Sequence, residues 1–102
     1  MKDSFKEKVY KITLQIPKGK VASYGQIAEL AGNIKASRAV GLFMRINPDA
    51  PHTPCHRVVS SIGELTGYSA KGGLAKKRQM LLDEGVIFKG RKVNLFISQW
   101  KK

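Results

Sequence analysis

The sequence predicts a mainly α-helical protein with short β-hairpins, and three observations support this fold class. Apolar residues recur at helical spacing near the N-terminus. Two short helices joined by a tight glycine-containing turn follow, which is the outline of a helix-turn-helix. Residues typical of β-strands occur only in short stretches of the second half. With 102 residues, 42% of them hydrophobic, the chain is expected to form one domain around one core.

The first helix is predicted from an apolar stripe with spacings of four, three and four residues. Its members are Phe5, Val9, Ile12 and Ile16. Asp3 or Ser4 can cap its start, and Pro17 ends it.

The second and third helices are predicted from their caps. Ser23 and Gln26 have the spacing of a capping box, which predicts a helix over residues 24–31. A Gly-Asn pair ends it, and a third helix is expected over residues 36–46, where Asn47-Pro48 stops it. These two helices are the candidate helix-turn-helix.

The second half of the chain is predicted to alternate loops with short elements. Three of the four prolines lie within residues 48–54, which indicates a stiff extended loop. The segments that follow are a β-prone stretch at 57–61, a loop at 66–73, a helix over 74–84 and a basic hairpin over 86–95. In the helix, we expect Leu74, Leu81 and Leu82 to face inward.

The charge of the chain favours a polyanionic partner. Nineteen Lys and Arg against seven Asp and Glu give a net charge of +12 at pH 7. A field of this sign favours nucleic acid, with a basic protein of another role or an anionic membrane surface as alternatives. The membrane alternative is disfavoured because the charge is spread along the chain. With no apolar run of membrane-spanning length and no secretory signal, we expect a cytoplasmic, nucleoid-associated protein.

The only cysteine, Cys55, stands directly beside His56. A thiol attacks as its thiolate, and a neighbouring base makes that form available. A lone cysteine cannot form an internal disulfide, and no further Cys, His or Asp cluster accompanies it, so we expect neither a metal site nor a cofactor. The alternative is that Cys55 is a small buried hydrophobic residue, and the dipeptide alone favours this alternative.

Five motifs resemble those of the O6-alkylguanine-DNA alkyltransferases, in that family's order and at about its spacing. They are Ser-Tyr-Gly-Gln-Ile-Ala at 23–28, Arg-Ala-Val-Gly at 38–41, Met-x-x-Asn-Pro at 44–48, Pro-Cys-His-Arg-Val-Val at 54–59 and Glu-Gly at 84–85. The resemblance implies a winged-helix-like helix-turn-helix domain, as in the alkyltransferase C-terminal domain. It would span residues 1–102 as a single DNA-binding alkyltransferase domain, without the additional N-terminal domain of full-length members.

The resemblance also implies catalytic roles. Cys55 would accept the alkyl group from guanine O6, with His56 drawing the thiol proton through a water and Glu84 orienting the imidazole. Tyr24 would donate a hydrogen bond or proton to guanine N3, and Asn47 would hold the loop before the thiol. From the sequence alone, a surface acid, a half-buried aromatic and a helix-end turn residue are the ordinary interpretations of Glu84, Tyr24 and Asn47.

Duplex DNA bound through its minor groove is the partner that the resemblance implies. Arg38 would enter the base stack and fill the gap left by a flipped base. The small residues Ser37, Ala39 and Gly41 would let the helix approach closely, with Tyr24 beside them. The alternative for Arg38 is an ordinary phosphate contact. We expect the protein to act as a monomer.

The substrate pocket is expected in the loop after the acceptor motif. Tyr68 would pack against the flipped base and Ser69 would hydrogen-bond it, with Thr66 and Leu65 completing the pocket. Two residues, 70–71, are inserted here relative to the family pattern. No metal is expected, since the zinc of some relatives belongs to the N-terminal domain.

Two functions therefore stay open at this point. The first is a single-turnover methylated-DNA–protein-cysteine methyltransferase that repairs O6-alkylguanine at Cys55. The second is a sensor like the single-domain alkyltransferase-like proteins, which usually carry tryptophan at the position of Cys55. Those proteins bind alkylated guanine without repairing it and mark it for nucleotide excision repair. A basic architectural protein is a third interpretation.

Overall fold

The computed structural model describes residues 3–66 and 72–102, and within them the fold is mainly helical, as predicted. The α-helices are α1 (Phe5–Leu14), α2 (Tyr24–Leu30), α3 (Ser37–Arg45), α4 (Gly73–Asp83) and α5 (Leu95–Ser98). Short strands follow the same order: β1 (Ala22–Ser23), β2 (Val58–Val59), β3 (Phe88–Lys89) and β4 (Lys92–Val93). Two 3₁₀ turns cover Ile34–Ala36 and Cys55–Arg57.

The predicted N-terminal caps of α1 and α2 are present. Ser4, rather than Asp3, caps α1 and forms a capping box with Glu7. Ser23 and Gln26 form the predicted capping box of α2, each side chain bonded to the backbone of the other. These caps satisfy N–H groups that the first helical turn leaves free, so they fix where each helix begins.

Helices α2 and α3 pack directly against each other, and the 3₁₀ turn that joins them contacts both, as the helix-turn-helix prediction requires. The third helix begins at Ser37, one residue later than expected, because the preceding residues form the 3₁₀ turn. Val40 and Met44 form its buried side. The opposite side of α3 is therefore left for solvent or a partner.

A parallel pair of strands, which the sequence did not predict, joins the start of α2 to the segment after Cys55. Ala22 pairs with Val58 and Ser23 with Val59. Because Tyr24 follows β1 directly and Cys55 precedes β2 by three residues, this pairing brings the two candidate site residues to neighbouring parts of the fold.

The predicted basic hairpin is present, with Phe88 opposite Val93 and Lys89 opposite Lys92. Its strands are shorter than the predicted span of 86–95, because α5 begins at Leu95. Helix α5 and a parallel bridge between Val21 and Gln99 were not predicted. Together they tie the C-terminal segment to β1.

Buried apolar side chains form two clusters. The first contains Val9, Ile16, Ala22, Ile27, Ala28, Ala31, Val40, Met44, Cys55 and Val58. The second contains Val21, Val59, Leu81, Val86 and Val93. Among the described residues, no helix combines the length and apolar character needed to span a membrane.

One prediction about α4 is wrong: Leu74 and Leu82 are 47% and 43% exposed. The buried face of the helix is centred on Lys77 and Leu81. Leu82 is rotated by about 100° from Leu81, so it turns away from the core. Leu74 lies in the first turn, at the edge of a surface groove that Leu65 also lines.

Candidate active site and nucleic-acid interface

Cys55 lies in a 3₁₀ turn whose position is fixed by the preceding loop. Its backbone N–H donates to the carbonyl of Thr53 at 2.8 Å. The side-chain amide of Asn47 donates to the same carbonyl at 2.9 Å, and its oxygen accepts from the N–H of Asp49 at 3.0 Å. Asn47 therefore connects the end of α3 to the segment that carries the thiol. The cysteine is free and only 4% exposed.

His56 is 2% exposed, and its ring is oriented by one carboxylate. Nε2 lies 2.9 Å from Oε2 of Glu84. An ionised carboxylate only accepts hydrogen bonds, so Nε2 carries the proton in the neutral ring. Nδ1 is buried and has no hydrogen-bond partner among the described residues. The free lone pair of this imidazole is therefore on Nδ1.

Arg57 holds the carboxylate of Glu84 in place. Nε and one terminal guanidinium nitrogen donate to its two oxygens, each at 2.9 Å. The other terminal nitrogen donates to the carbonyl of Ile16 at 2.8 Å. Such a bidentate pair fixes the plane of the carboxylate as well as its distance. Arg57 thus ties the segment that carries Cys55 to Glu84 and to Ile16, which follows α1.

Burial and hydrogen bonding set the protonation states of this group. Burial lowers the pKa of His56 below its ordinary value, while the Glu84 carboxylate acts in the opposite direction. Burial raises the pKa of Glu84, but hydrogen bonds from Arg57 and His56 outweigh it and the net pKa is lowered. Near neutral pH the arrangement is therefore a carboxylate beside a neutral imidazole.

Lys77, which sequence reasoning missed, is a buried cation near the thiol. It is 1% exposed, and its ammonium donates to the carbonyls of Val58 at 2.7 Å and Thr66 at 2.8 Å. Burial lowers the pKa of Lys77 to about 8, and the nearby Cys55 acts in the opposite direction. The sequence signal was its position four residues before the apolar Leu81, on the same helix face.

A cavity of about 660 Å³ opens between α2, α3 and the segments around Ser60 and Thr66. Its lining residues are Tyr24, Gly25, Ser37, Arg38, Gly41, Leu42, Arg45, Ser60, Ser61 and Thr66. Two arginines thus border a cavity whose other lining residues are uncharged, which favours an anionic ligand.

The structure brings most of the predicted DNA-binding residues to this cavity. Arg38, Ser37, Gly41 and Tyr24 line it, whereas Ala39, on the same helix, does not. Sequence reasoning missed Leu42 and Arg45. Their signal was spacing, since they follow Arg38 by four and seven residues and so share its helix face.

The predicted substrate pocket is only partly described. Thr66 lines the cavity. Leu65 does not; it packs against the second core cluster and lines a separate groove with Leu74 and Arg78. Tyr68 and Ser69 lie outside the described residues.

Tyr24 connects the cavity to the region of the thiol. Its hydroxyl donates to the carbonyl of Thr66 at 3.0 Å and lies 3.0 Å from the Thr66 hydroxyl. The ring also packs against the core cluster that contains Cys55, which is itself not among the cavity-lining residues. Burial raises the pKa of Tyr24, so its hydroxyl remains protonated and able to donate. One side chain therefore borders both the cavity and the core around the thiol.

The described residues contain no group of three His, Cys, Asp or Glu side chains able to hold a metal ion. The polar groups of the site include the thiol, the His56–Glu84–Arg57 array, the Lys77 ammonium, the Tyr24 hydroxyl and the two arginines of the cavity. A basic helix-turn-helix that also carries a buried cysteine and histidine indicates a class of DNA-binding domain.

The family follows from comparison with known proteins. A family model described as "6-O-methylguanine DNA methyltransferase, DNA binding domain" matches residues 4–86. The chain belongs to this family, as the sequence motifs predicted.

Curated relatives carry the name methylated-DNA–protein-cysteine methyltransferase. The Homo sapiens protein is 51% identical over 84 residues, which cover 81% of this chain and 40% of the relative. A Mycobacterium tuberculosis protein is 48% identical over 77 residues, covering 76% of this chain and 46% of the relative. The chain thus spans about half the length, or less, of these relatives.

Solved structures show the same likeness at the level of the fold. S. pombe Atl1, in complex with damaged DNA containing O6-carboxymethylguanine, has a TM-score of 0.85 at 34% identity, covering 100% of this chain and 99% of Atl1. Mycobacterium tuberculosis OGT in complex with DNA has a TM-score of 0.76 at 45% identity, covering 83% of this chain and 52% of OGT. Both of these structures are DNA complexes, which is consistent with the helix-turn-helix prediction.

Proposed function

We propose that this protein repairs DNA by moving an alkyl group directly from guanine O6 to Cys55. The observation that carries the proposal is the buried array in which Glu84 holds His56, the residue next to Cys55 in the chain, with its Nδ1 lone pair free. A base that is fixed by a carboxylate and adjacent to a nucleophile is the arrangement used to activate a weak nucleophile.

The transfer balances without a cofactor. The thiol proton passes through a water to Nδ1 of His56, and the thiolate attacks the alkyl carbon in line with its bond to guanine O6. The sulfur–carbon bond forms as the carbon–oxygen bond breaks. The electron pair of the broken bond stays on the guanine. Tyr24 stabilises the negative charge that results by donating a hydrogen bond or a proton to guanine N3. The product is a thioether, so each protein molecule acts once.

The base would have to leave the duplex before attack, since guanine O6 is hidden within the stack. Arg38 would fill the gap from α3, while Ser37 and Gly41 allow that helix to lie close to the minor groove. The cavity volume of about 660 Å³ is within the range of about 300–1,000 Å³ typical of small-molecule sites. We propose that the domain does this as a monomer.

A second candidate is a sensor that binds O6-alkylguanine without repairing it and recruits nucleotide excision repair. The observation that favours it is the likeness to Atl1, which extends over the whole of both chains. Cys55 favours the enzyme, because the residues that a thiol needs for activation are present around it.

Intact mass distinguishes the two candidates. The protein is incubated with duplex DNA that carries one O6-methylguanine, and the control duplex carries guanine. Transfer adds the mass of one methylene group to the wild type and nothing to Cys55→Ala. Unchanged mass together with tight and selective binding to the damaged duplex would instead support the sensor. Equal binding to both duplexes without a mass change would contradict both.

A further inference from the structure

The most exposed large hydrophobic side chain of the described protein is Phe96, at 94%. It lies on α5, and its neighbour Ile97 is half exposed. Large aromatic side chains are usually mostly buried, so a ring as exposed as this one is unusual. Exposed apolar patches commonly mark binding sites.

Helix α5 is fixed to the domain, so the exposure of Phe96 does not come from a frayed end. The side chain of Asn94 caps the helix by accepting from the N–H of Ile97 at 3.3 Å. The hydroxyl of Ser98 accepts from the N–H of Ile87 at 2.9 Å. The N–H of Trp100 donates to the carbonyl of Val21 at 2.7 Å. The backbone that carries Phe96 is therefore already ordered before a partner binds, which reduces the entropy cost of binding.

Phe96 borders a groove of about 460 Å³, which we call the C-terminal groove. Its apolar walls include Pro17, Phe96, Ile97 and Trp100, and its cationic rim consists of Lys20 and Lys101. The ammonium of Lys20 donates to the carbonyl of Ile97 at 3.0 Å, which places this charge beside the apolar walls. None of the seven Asp and Glu residues of the chain is among the residues that line it.

We propose that the C-terminal groove binds an acidic protein segment through an apolar anchor side chain. Such a segment complements both features of the groove: its negative charge pairs with Lys20 and Lys101, and its apolar side chain packs against Phe96 and the other apolar walls. A second copy of this chain would supply the apolar group but bring its own charge of +12. The outer surface of a DNA duplex supplies the charge but no apolar group.

Single-stranded nucleic acid supplies both chemistries, but it fits the walls less well. A base stacks on flat aromatic faces. Pro17 and Ile97 make part of this groove aliphatic, and such walls suit a branched side chain. Aromatic residues are also enriched at protein–protein interfaces, where a polar rim surrounds an apolar centre.

The proposal is independent of the proposed function. The C-terminal groove shares no lining residue with the cavity that contains Arg38. The groove is therefore a site separate from the cavity face of α3, and its ligand can be tested in the absence of DNA.

The test uses the full chain and short fluorescein-labelled peptides of aspartate and glutamate that carry two leucines one helical turn apart. Matched peptides replace the leucines by serine, or the acids by lysine. Binding is measured by fluorescence anisotropy, and the site is mapped by amide chemical shifts. We expect only the acidic leucine peptide to bind, with shifts at Lys20, Ile97 and Lys101.

Phe96→Ser should weaken this binding at least about tenfold while leaving the thermal midpoint unchanged, because the ring is exposed. Ile34→Ser is the matched control, since Ile34 is an exposed apolar residue that does not line the groove, and it should bind as the wild type does. Lys101→Glu should also weaken binding.

Several results would overturn the proposal. One is the absence of shifts in the groove with any of the peptides. A second is equal binding by the serine peptide, which would make the contact purely electrostatic. A third is that an oligothymidine strand, and not the acidic peptide, shifts the groove residues. A fourth is a dimer in sedimentation that Phe96→Ser dissociates, which would identify a second copy as the occupant.

Discussion

At the scale of single residues, Glu84 both pairs with Arg57 and orients His56. One carboxylate can do both because its two oxygens offer enough acceptor positions for the two side chains. Arg57 holds both of its oxygens, and His56 shares one of them. The arginine keeps the carboxylate ionised, and the ionised carboxylate in turn keeps the imidazole proton on Nε2. The array is therefore a fixed acceptor for one proton at Nδ1 of His56.

Glu84→Gln tests this dependence. The Glu84 carboxylate raises the pKa of His56, so its removal should lower that pKa further. The imidazole ring also loses the hydrogen bond that orients it. We expect alkyl transfer to slow by roughly 10²-fold, within the usual contribution of a positioned base. Single-turnover transfer and an imidazole NMR titration measure the two effects. Asp83→Asn is the control, since this neighbouring acid contacts only Gln79 among the contacts described; an equal loss there would contradict the role.

Lys77 gives a prediction about stability and pH. Its pKa is about 8 in the folded protein, against 10.5 for an unperturbed lysine. Between these values the unfolded chain holds a proton that the folded protein has released. The free energy of unfolding that this group contributes therefore rises with pH across that window, by at most about 1.4 kcal/mol per pH unit.

The measurement compares urea unfolding of Cys55→Ala with that of Cys55→Ala/Lys77→Met, two proteins that differ only at residue 77. From pH 7 to 10, the lysine protein should gain about 2–3 kcal/mol relative to the methionine protein. A difference between the two proteins that does not change with pH would mean that Lys77 is not desolvated.

At the scale of elements, α3 is divided between core and cavity. Val40 and Met44 hold one face in the core, while Arg38, Gly41 and Arg45 line the cavity. Apart from its chain neighbours and the backbone of its own helix, Gly41 has no atom within 4 Å of the position that a Cβ would take, so the fold itself does not require a glycine there. We infer that a glycine is needed at this position so that the helix can approach DNA closely.

Gly41→Ala should therefore separate stability from binding. Alanine in a helix interior is favoured over glycine by roughly 0.5–1 kcal/mol, so the free energy of unfolding should rise by about that amount. The added methyl group lies on the cavity face, and we expect affinity for the lesion duplex to fall. Urea unfolding and fluorescence anisotropy measure the two quantities. An unchanged affinity would show that the helix does not approach the duplex closely.

The elements also show which parts of the fold the sequence could predict. The start of α2 was predictable, because the capping-box pair Ser23 and Gln26 acts locally. The pairing of β1 with β2 was not, since strands of two residues carry no periodic pattern and their partners are distant in sequence. Helix α5 was missed for the same reason, being only four residues long.

The candidate site divides in the same way. Cys55 and His56 stand out in the sequence because they are adjacent. The contact between His56 and Glu84 spans 28 residues, and only resemblance to the family suggested it. Lys77 lies within a run of three basic residues, and the sequence does not indicate which of the three is buried. Burial is decided by how α4 faces the core, which is a property of the assembled fold.

At the scale of the whole molecule, the net charge of +12 is distributed so that DNA binding should depend strongly on salt. Arg38 and Arg45 border the cavity, while other lysines lie on α1, the hairpin and the C-terminus. Each phosphate that a cation neutralises releases condensed counterions, so the affinity falls as salt rises. With about six to ten such contacts, affinity should drop by roughly 10³–10⁵ between about 50 and 200 mM salt.

Two single substitutions locate the contacts within that field. Arg45→Gln, on the cavity face of α3, should reduce the slope of log affinity against log salt by about one. Lys8→Gln removes the same charge from the exposed side of α1 and should leave the slope unchanged. Anisotropy titrations over a series of salt concentrations give both slopes. If the two substitutions reduce the slope by the same amount, the affinity depends on the total charge of the protein and not on the α3 face that contains Arg38. If the wild-type response to salt is flat, phosphate contacts do not supply the affinity.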